Sequence, residues 1–470
     1  MTFFLLTDDL QRLLFYNRRM IQTLETQLND FSSEVRKTAL LRLLDLAKKD
    51  LGMLPVEGAS VNMHCHSFFS FNSYGYSPSA LVWLAKKIGL QAAGIVDFDN
   101  LDGVEEFLSA CDSASLRGSA AMETRIYISE LADYVTNSPG EPGVSYATGI
   151  GFASSHVNEK GKSILRGMRE RADQRNRGMV NRLNAYLDPV AIDYDQDVLP
   201  LTPSGNATER HILAAYLSTV QKTIKNPAEF WSKKLEQELY FVSDLMQDPA
   251  VFSDVVRRKL MKLGGIGYVQ PGPDAFPTAE EFYQMVISNG AIPTYNYLDG
   301  STNGEQRMEE ILDLLVNKGI SGFNLIPNLA IPELDAQLNN SKKREQQIQL
   351  LFHNVEIARE FDLPLHIGTE MNSYGQRKVD NLESPELRPL KKQFIDGAFF
   401  IYGHVRLQRT LGLGYQSDWT ANWFPTRAER NTFYTKAGYC IPPGESGIRK
   451  LKLLHPTMSP SEILSKLQTV

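Results

Sequence analysis

The apolar positions change their period along the chain, and the changes divide it. Over 1–57, Leu10, Leu13, Leu14, Ile21, Leu24 and Leu28 recur three and four residues apart, and Leu40, Leu43, Leu44 and Leu51 do so again. That spacing lays apolar side chains along one helix face. Two helices forming a structural hairpin are predicted, the first capped by Thr7 or Asp8, the second ended by Gly52 ahead of Pro55. From residue 58 short apolar or alternating runs predict strands at 60–66, 92–97, 119–128, 145–152, 291–296, 320–326 and 363–370. Amphipathic stretches at 78–88, 102–112, 279–289, 304–318 and 343–360 predict helices between them. Such alternation implies an α/β fold with a mostly parallel sheet, open or closed into a barrel. In a barrel the chemistry sits at the C-terminal edge of the strands.

Residues 155–260 interrupt the alternation. They read as mainly helical around a Pro- and Asp-rich loop at 188–206, and an insertion of this length is expected to be a lid. Its arginines (Arg166, Arg169, Arg171, Arg175, Arg177, Arg182) form either a solvated helix face or a rim that attracts anions. From 384 to 470 the chain is helical, then aromatic-rich around Trp419, Trp423 and Phe424.

Composition narrows the function classes. With 42% hydrophobic and 22% charged residues the chain is globular rather than disordered. Its 470 residues allow two or three domains, or one barrel with insertions. A net charge of −6 points to a soluble protein and argues against a nucleic-acid polymer or a membrane surface as partner. Three cysteines, Cys65, Cys111 and Cys440, are too few for a disulfide scaffold, so a reducing, cytoplasmic compartment is expected. The opening Met-Thr-Phe-Phe-Leu-Leu-Thr-Asp-Asp lacks the basic region of a secretory signal, and no apolar run reaches the ~18 residues of a membrane span.

The sharpest chemical signal is His64-Cys65-His66. Side chains two apart on a strand share a face, so both imidazoles point one way, as a metal-binding pair requires. Acids at predicted strand ends follow: Asp97 after Gly-Ile-Val, Glu123 after Ala-Ala-Met, and Glu370 after His-Ile-Gly-Thr. Imidazoles and carboxylates converging on one mouth suit a divalent cation. His366 and His404 are read as structural, and His156, His353 and His455 carry no constellation.

These runs resemble the polymerase-and-histidinol-phosphatase (PHP) superfamily. The resemblance lies in His64-Cys-His-Ser-Phe-Phe-Ser, Gly94-Ile-Val-Asp97-Phe98 through Gly103, Met122-Glu123, Gly290-Ala-Ile-Pro-Thr-Tyr-Asn296, Gly322-Phe323 and Ile367-Gly-Thr-Glu370-Met-Asn372. The insertion, with Arg169…Arg177 and then Thr208-Glu-Arg210-His211, is similar to the lid of PHP nucleotide phosphoesterases. The likeness covers about 58–375. It implies a distorted (β/α)7 TIM-like barrel over 58–383 with the helical lid at about 155–260, flanked by the 1–57 hairpin and a 384–470 extension. It also implies metal-dependent phosphoester hydrolysis.

The family's ligand set is incomplete here. His64, His66, the bridging Glu123 and the late acid Glu370 match one metal site. Phe98, Asn296 and Asn372 stand where other ligands belong, and Phe71 or Asn72 and Tyr146 fall near two more. The resemblance therefore implies one divalent ion (Zn, Mn or Fe) held by His64, His66, Glu123 and Glu370. Two carboxylates and two neutral imidazoles bring a charge of −2. Asp97 is expected to orient a ligand histidine or act as a base, and Arg210 and His211 to bind phosphate from the lid. The expected function is hydrolysis of a small phosphorylated metabolite or nucleotide. The alternative is a degenerate barrel that binds a ligand or partner without turnover. Oligomeric state stays open.

Overall fold

A computed structural model describes residues 8–50, 52–327 and 341–469, with side chains 8–17, 341 and 343 outside the description. Seven strands form one sheet in sequence order: β1 (Val61–Cys65), β2 (Ala92–Phe98), β3 (Arg117–Tyr127), β4 (Val144–Ile150), β5 (Ile292–Tyr297), β6 (Phe323–Leu325) and β7 (Leu365–Ile367). Every predicted strand and every helix between them has its counterpart. The neighbours β1–β2–β3 and β5–β6–β7 run parallel, whereas β4 is antiparallel to both β3 and β5. The sheet nearly closes. Past the ends of β1 and β7 the His66 amide donates to the Glu370 carbonyl at 2.9 Å, and from within β1 Asn62 Nδ2 reaches the Thr369 carbonyl at 3.2 Å.

The reversed β4 explains one departure from the sequence reading. Glu123 does not end its strand. β3 runs on to Tyr127 because β4 pairs with it from Ala121 to Tyr127. Glu123 still lies level with Phe98, the last residue of β2, so it sits at the mouth.

Three additions surround the barrel. The helices Asp8–Gln27 and Ser33–Lys49 form the hairpin, and Leu24, Leu28, Leu40 and Leu43 join the barrel's own core. The second helix ends at Lys49 with Asp50 as its cap, two residues before Gly52. Thr7 and Leu51 lie outside the described residues, and Leu10, Leu13 and Leu14 outside the described side chains.

The insertion is helical, with Glu159–Leu187, Glu209–Thr223, Pro227–Leu235, Leu239–Leu245 and Pro249–Met261, and it buries a separate core around Leu183, Tyr216, Trp231 and Val256. Most of its arginines have partners. Arg177 pairs with Asp173 and Asp195, Arg169 with Asp102, and Arg175 donates to the Ala275 carbonyl.

After 384, the helix Lys391–Leu411 runs against the start of β7 and the end of β4, across the barrel floor. A Cβ on Gly397 would fall 1.8 Å from the Leu365 carbonyl, so only glycine permits this approach. Gly403 meets Gly438 of the helix Arg427–Cys440 in the same manner. Among the described residues no helix is long and apolar enough to cross a membrane.

Candidate metal centre

His64, on β1, and His66, one residue beyond it, face inward. Glu123 enters from β3 and Glu370 from the turn after β7. One ligand atom from each of the four lies within 4.8 Å of the others, the only such group among the described residues. His64 Nε2 stands 3.6 Å and His66 Nε2 3.4 Å from Glu123 Oε2, with Glu370 Oε1 4.0 Å from His66 Nε2. Four ligands placed ~2.1 Å from one ion in a tetrahedron stand ~3.4 Å apart, so the arrangement needs little contraction to grip one.

All four side chains are buried. His64 Nε2, His66 Nε2 and Glu123 Oε2 nevertheless have no hydrogen-bond partner among the described residues. Buried polar atoms are normally paired, and three unpaired atoms from two places in the chain, β1 with the residue just beyond it and β3, facing one point fit a shared cation.

The remaining atoms are held by the protein. Each imidazole uses Nδ1: His66 Nδ1 lies 3.3 Å from Ser70 Oγ, and His64 Nδ1 2.9 Å from Asn324 Nδ2. Ser70 Oγ can accept from Nδ1–H, which leaves His66 Nε2 to an ion; Asn324 Nδ2 is a donor, so His64 Nε2 serves an ion only with the Asn324 amide turned to offer its oxygen to Nδ1–H. Glu123 Oε1 accepts from Asn296 Nδ2 at 2.8 Å, and Asn296 is held in turn by Thr148 and Asn324. The Phe98 ring stacks on His66 with centroids 4.7 Å apart.

Electrostatics agree. Burial, with the charge of Glu123 added, raises the pKa of Glu370. Burial, with His64 and Arg210 nearby, holds His66 well below the ordinary imidazole value. Burial also opposes charge on His64, but Glu123 and then Glu370 outweigh it and raise that pKa. Two carboxylates pressed together without a compensating cation resist ionising together.

Asp97 is not in this group. It occupies the face of β2 opposite Phe98, where its carboxylate accepts from the Ser67 amide (2.8 Å), Ser67 Oγ (2.6 Å) and Ser70 Oγ (2.7 Å). Three donors from Ser67 and Ser70 occupy the carboxylate there. The strand alternation that aims Phe98 inward aims Asp97 outward. Ser70 donates to Asp97 and is left to accept from His66 Nδ1.

Arg210 and His211 stand at the start of the lid helix Glu209–Thr223. The Arg210 guanidinium bonds Ser373 Oγ beside Glu370 and lies 5.7 Å from the Phe71 ring. Burial and nearby Arg257 lower its pKa to about 10, so it remains charged at neutral pH. His211 Nδ1 accepts from the Thr208 amide at 3.1 Å as part of a capping box, and burial lowers its pKa to about 4. It is a neutral imidazole carrying its proton on Nε2. His366 and His404 lie deeper, and neither joins the centre.

Sequence reasoning missed Asn324 and Ser70. Asn324 sits between two apolar residues of β6, an alternation that places it inward. Ser70 offered no signal, because its contact depends on how the loop after His66 folds back.

No family model matches the chain, and no curated protein matches it. Among solved structures it is similar to a provisionally named metal-dependent phosphoesterase from Bifidobacterium adolescentis, with a TM-score of 0.45 and 20% identity over 72% of this chain and 97% of that one. It is also similar to an amidohydrolase from Chromobacterium violaceum bound to sulfate without metal, with a TM-score of 0.47 and 14% identity over 72% of this chain and 96% of that one. The nearly closed seven-stranded barrel is consistent with a PHP-type fold. Function rests on the residues of this chain.

Proposed function

We propose that the chain is a metal-dependent phosphoesterase that acts on a small phosphorylated metabolite or nucleotide through one divalent ion, zinc, manganese or iron. The observation that carries this reading is the set of three buried, unpartnered ligand atoms, His64 Nε2, His66 Nε2 and Glu123 Oε2, which face one another beside Glu370. One ion rather than two is favoured because Asn296 engages the other oxygen of Glu123. An ion held by these four residues supplies Lewis acidity, which polarises a phosphoryl oxygen and acidifies water. Arg210 binds the phosphoryl group with a charged, planar donor set, and His211 offers a neutral Nε2–H beside it. Phe98 and Phe71 keep the surroundings apolar, which strengthens both interactions.

A second reading, a barrel that binds a ligand without turnover, is supported by the side chains that replace further ligands. Phe98 covers one face of His66, and Asn296 makes only hydrogen bonds. Hydrolysis of phosphomonoesters and phosphodiesters with Zn²⁺, Mn²⁺ or Fe²⁺ decides between them. Turnover lost in both His64→Ala and Glu123→Ala supports the first reading. Full metal loading with no hydrolysis supports the second. Turnover that survives both changes sinks the site assignment.

A further inference from the structure

We infer that the N-terminal hairpin positions the histidine-bearing loop of the metal centre, with Arg36 as the positioning residue. The inference rests on the reading of that centre given above. Arg36 lies in the first turn of the second hairpin helix and is 2% exposed. Its guanidinium is fully engaged. Nε donates to both oxygens of Glu106 at 2.9 and 3.1 Å, Nη2 pairs with Glu106, and Nη1 donates to the carbonyls of Asp30 (2.7 Å) and Phe31 (3.0 Å). Glu106 also accepts from the Ser79 amide and hydroxyl, so one buried ion pair joins the hairpin turn to the helices following β1 and β2.

The same guanidinium lies 5.1 Å from the ring centroid of Phe68 and 6.0 Å from that of Phe69, and Phe31 packs edge-on against Phe68 at 5.8 Å. Phe68 and Phe69 belong to the loop that leaves His66. The Phe69 amide donates to Ser67 Oγ at 3.2 Å, Ser67 and Ser70 both bond Asp97, and Ser70 Oγ reaches His66 Nδ1. A continuous chain of buried contacts thus runs from the hairpin to a metal-ligating ring.

Holding the hairpin on the barrel does not require this. Leu24, Leu28, Leu40 and Leu43 already bury its apolar face. Sequestering a guanidinium and a carboxylate is an inefficient adhesive, because desolvation offsets much of their attraction. What the pair adds is a fixed direction for the two rings beneath it.

The test compares two double variants of the full chain. Arg36→Met with Glu106→Gln removes both charges of this pair together. Arg406→Met with Asp112→Gln removes the buried pair Arg406–Asp112 at the floor and serves as the control. Zn²⁺ affinity is read by competition with a chromogenic chelator, and amide hydrogen exchange is read over 66–72. The hairpin variant is expected to bind Zn²⁺ about 10-fold more weakly, the low end for outer partners of metal ligands. It is also expected to exchange faster over 66–72, while the control matches the unaltered chain in both. Phe68→Leu, which keeps an apolar side chain but removes the ring, is expected to move both readouts in the same direction and is decisive should the hairpin variant not fold. Unchanged affinity and exchange, or a control that moves them equally, overturns the inference. If the unaltered chain takes up none of Zn²⁺, Mn²⁺ and Fe²⁺, the reading of the centre fails separately, and exchange in the metal-free chains alone decides the role of Arg36.

Discussion

At the barrel floor, His404 commits both ring nitrogens to the fold. Nε2 donates to the Gly151 carbonyl at 3.0 Å and Nδ1 accepts from the Tyr415 amide at 3.0 Å. At the mouth, His64 and His66 commit only Nδ1 and leave Nε2 unpartnered toward two carboxylates. All three rings are buried. His366 supplies the intermediate case: among the described residues both its nitrogens lack partners, but it stacks on Phe400 and no carboxylate joins it in a cluster. Burial alone therefore does not mark a ligand, and neither does an unpartnered nitrogen. The mark is several unpartnered atoms of complementary chemistry, brought by separate strands to one point and each fixed from behind.

The two ends of the barrel are expected to respond oppositely to mutation. His66→Ala or Glu123→Ala is expected to abolish metal uptake, measured as metal content of the purified chain, while far-ultraviolet dichroism stays that of a folded protein. His404→Ala is expected to do the reverse. It leaves a buried carbonyl and amide unpaired and costs about 2–4 kcal/mol in urea unfolding, with metal content unchanged.

Acid sharpens the floor's side of the contrast. Burial lowers the pKa of His404 to about 4, so folding disfavours its protonated form. Its contribution is intact above the free value of ~6.5 and is lost as pH falls toward 4, about 2 kcal/mol by pH 5. Urea unfolding at pH 7 and pH 5 measures this loss, and His404→Gln is expected to remove that share of it. The smallest effect belongs to the lid. Arg210→Lys keeps a charge but loses the planar fork, and KM for a phosphoester is expected to rise about 10-fold with metal content unchanged.

Much of the barrel was legible because its signals are local. Alternation in β1 and β2 and the apolar runs of β3 to β7 place all seven strands, and the same alternation puts His64 on an inward face. Resemblance to known motifs joined Glu123 and Glu370 to the two histidines, and the structure brings these four together. What stayed hidden depends on contacts distant in sequence. The reversal of β4 is a pairing choice that no period within Val144–Ile150 encodes. Asp97 shows how a strand-end acid misleads: its neighbour Phe98 takes the inward position and leaves Asp97 to brace Ser67 and Ser70. Glu106 and Arg36 lie 70 residues apart, so their pairing was out of reach of spacing arguments.

Stripping the purified chain with a chelator and titrating it with Zn²⁺ or Mn²⁺, with bound metal counted per chain, tests the centre most directly. One ion per chain is expected, and none in His64→Ala. No uptake by the unaltered chain, or two ions per chain with Asn296 in place, would contradict it.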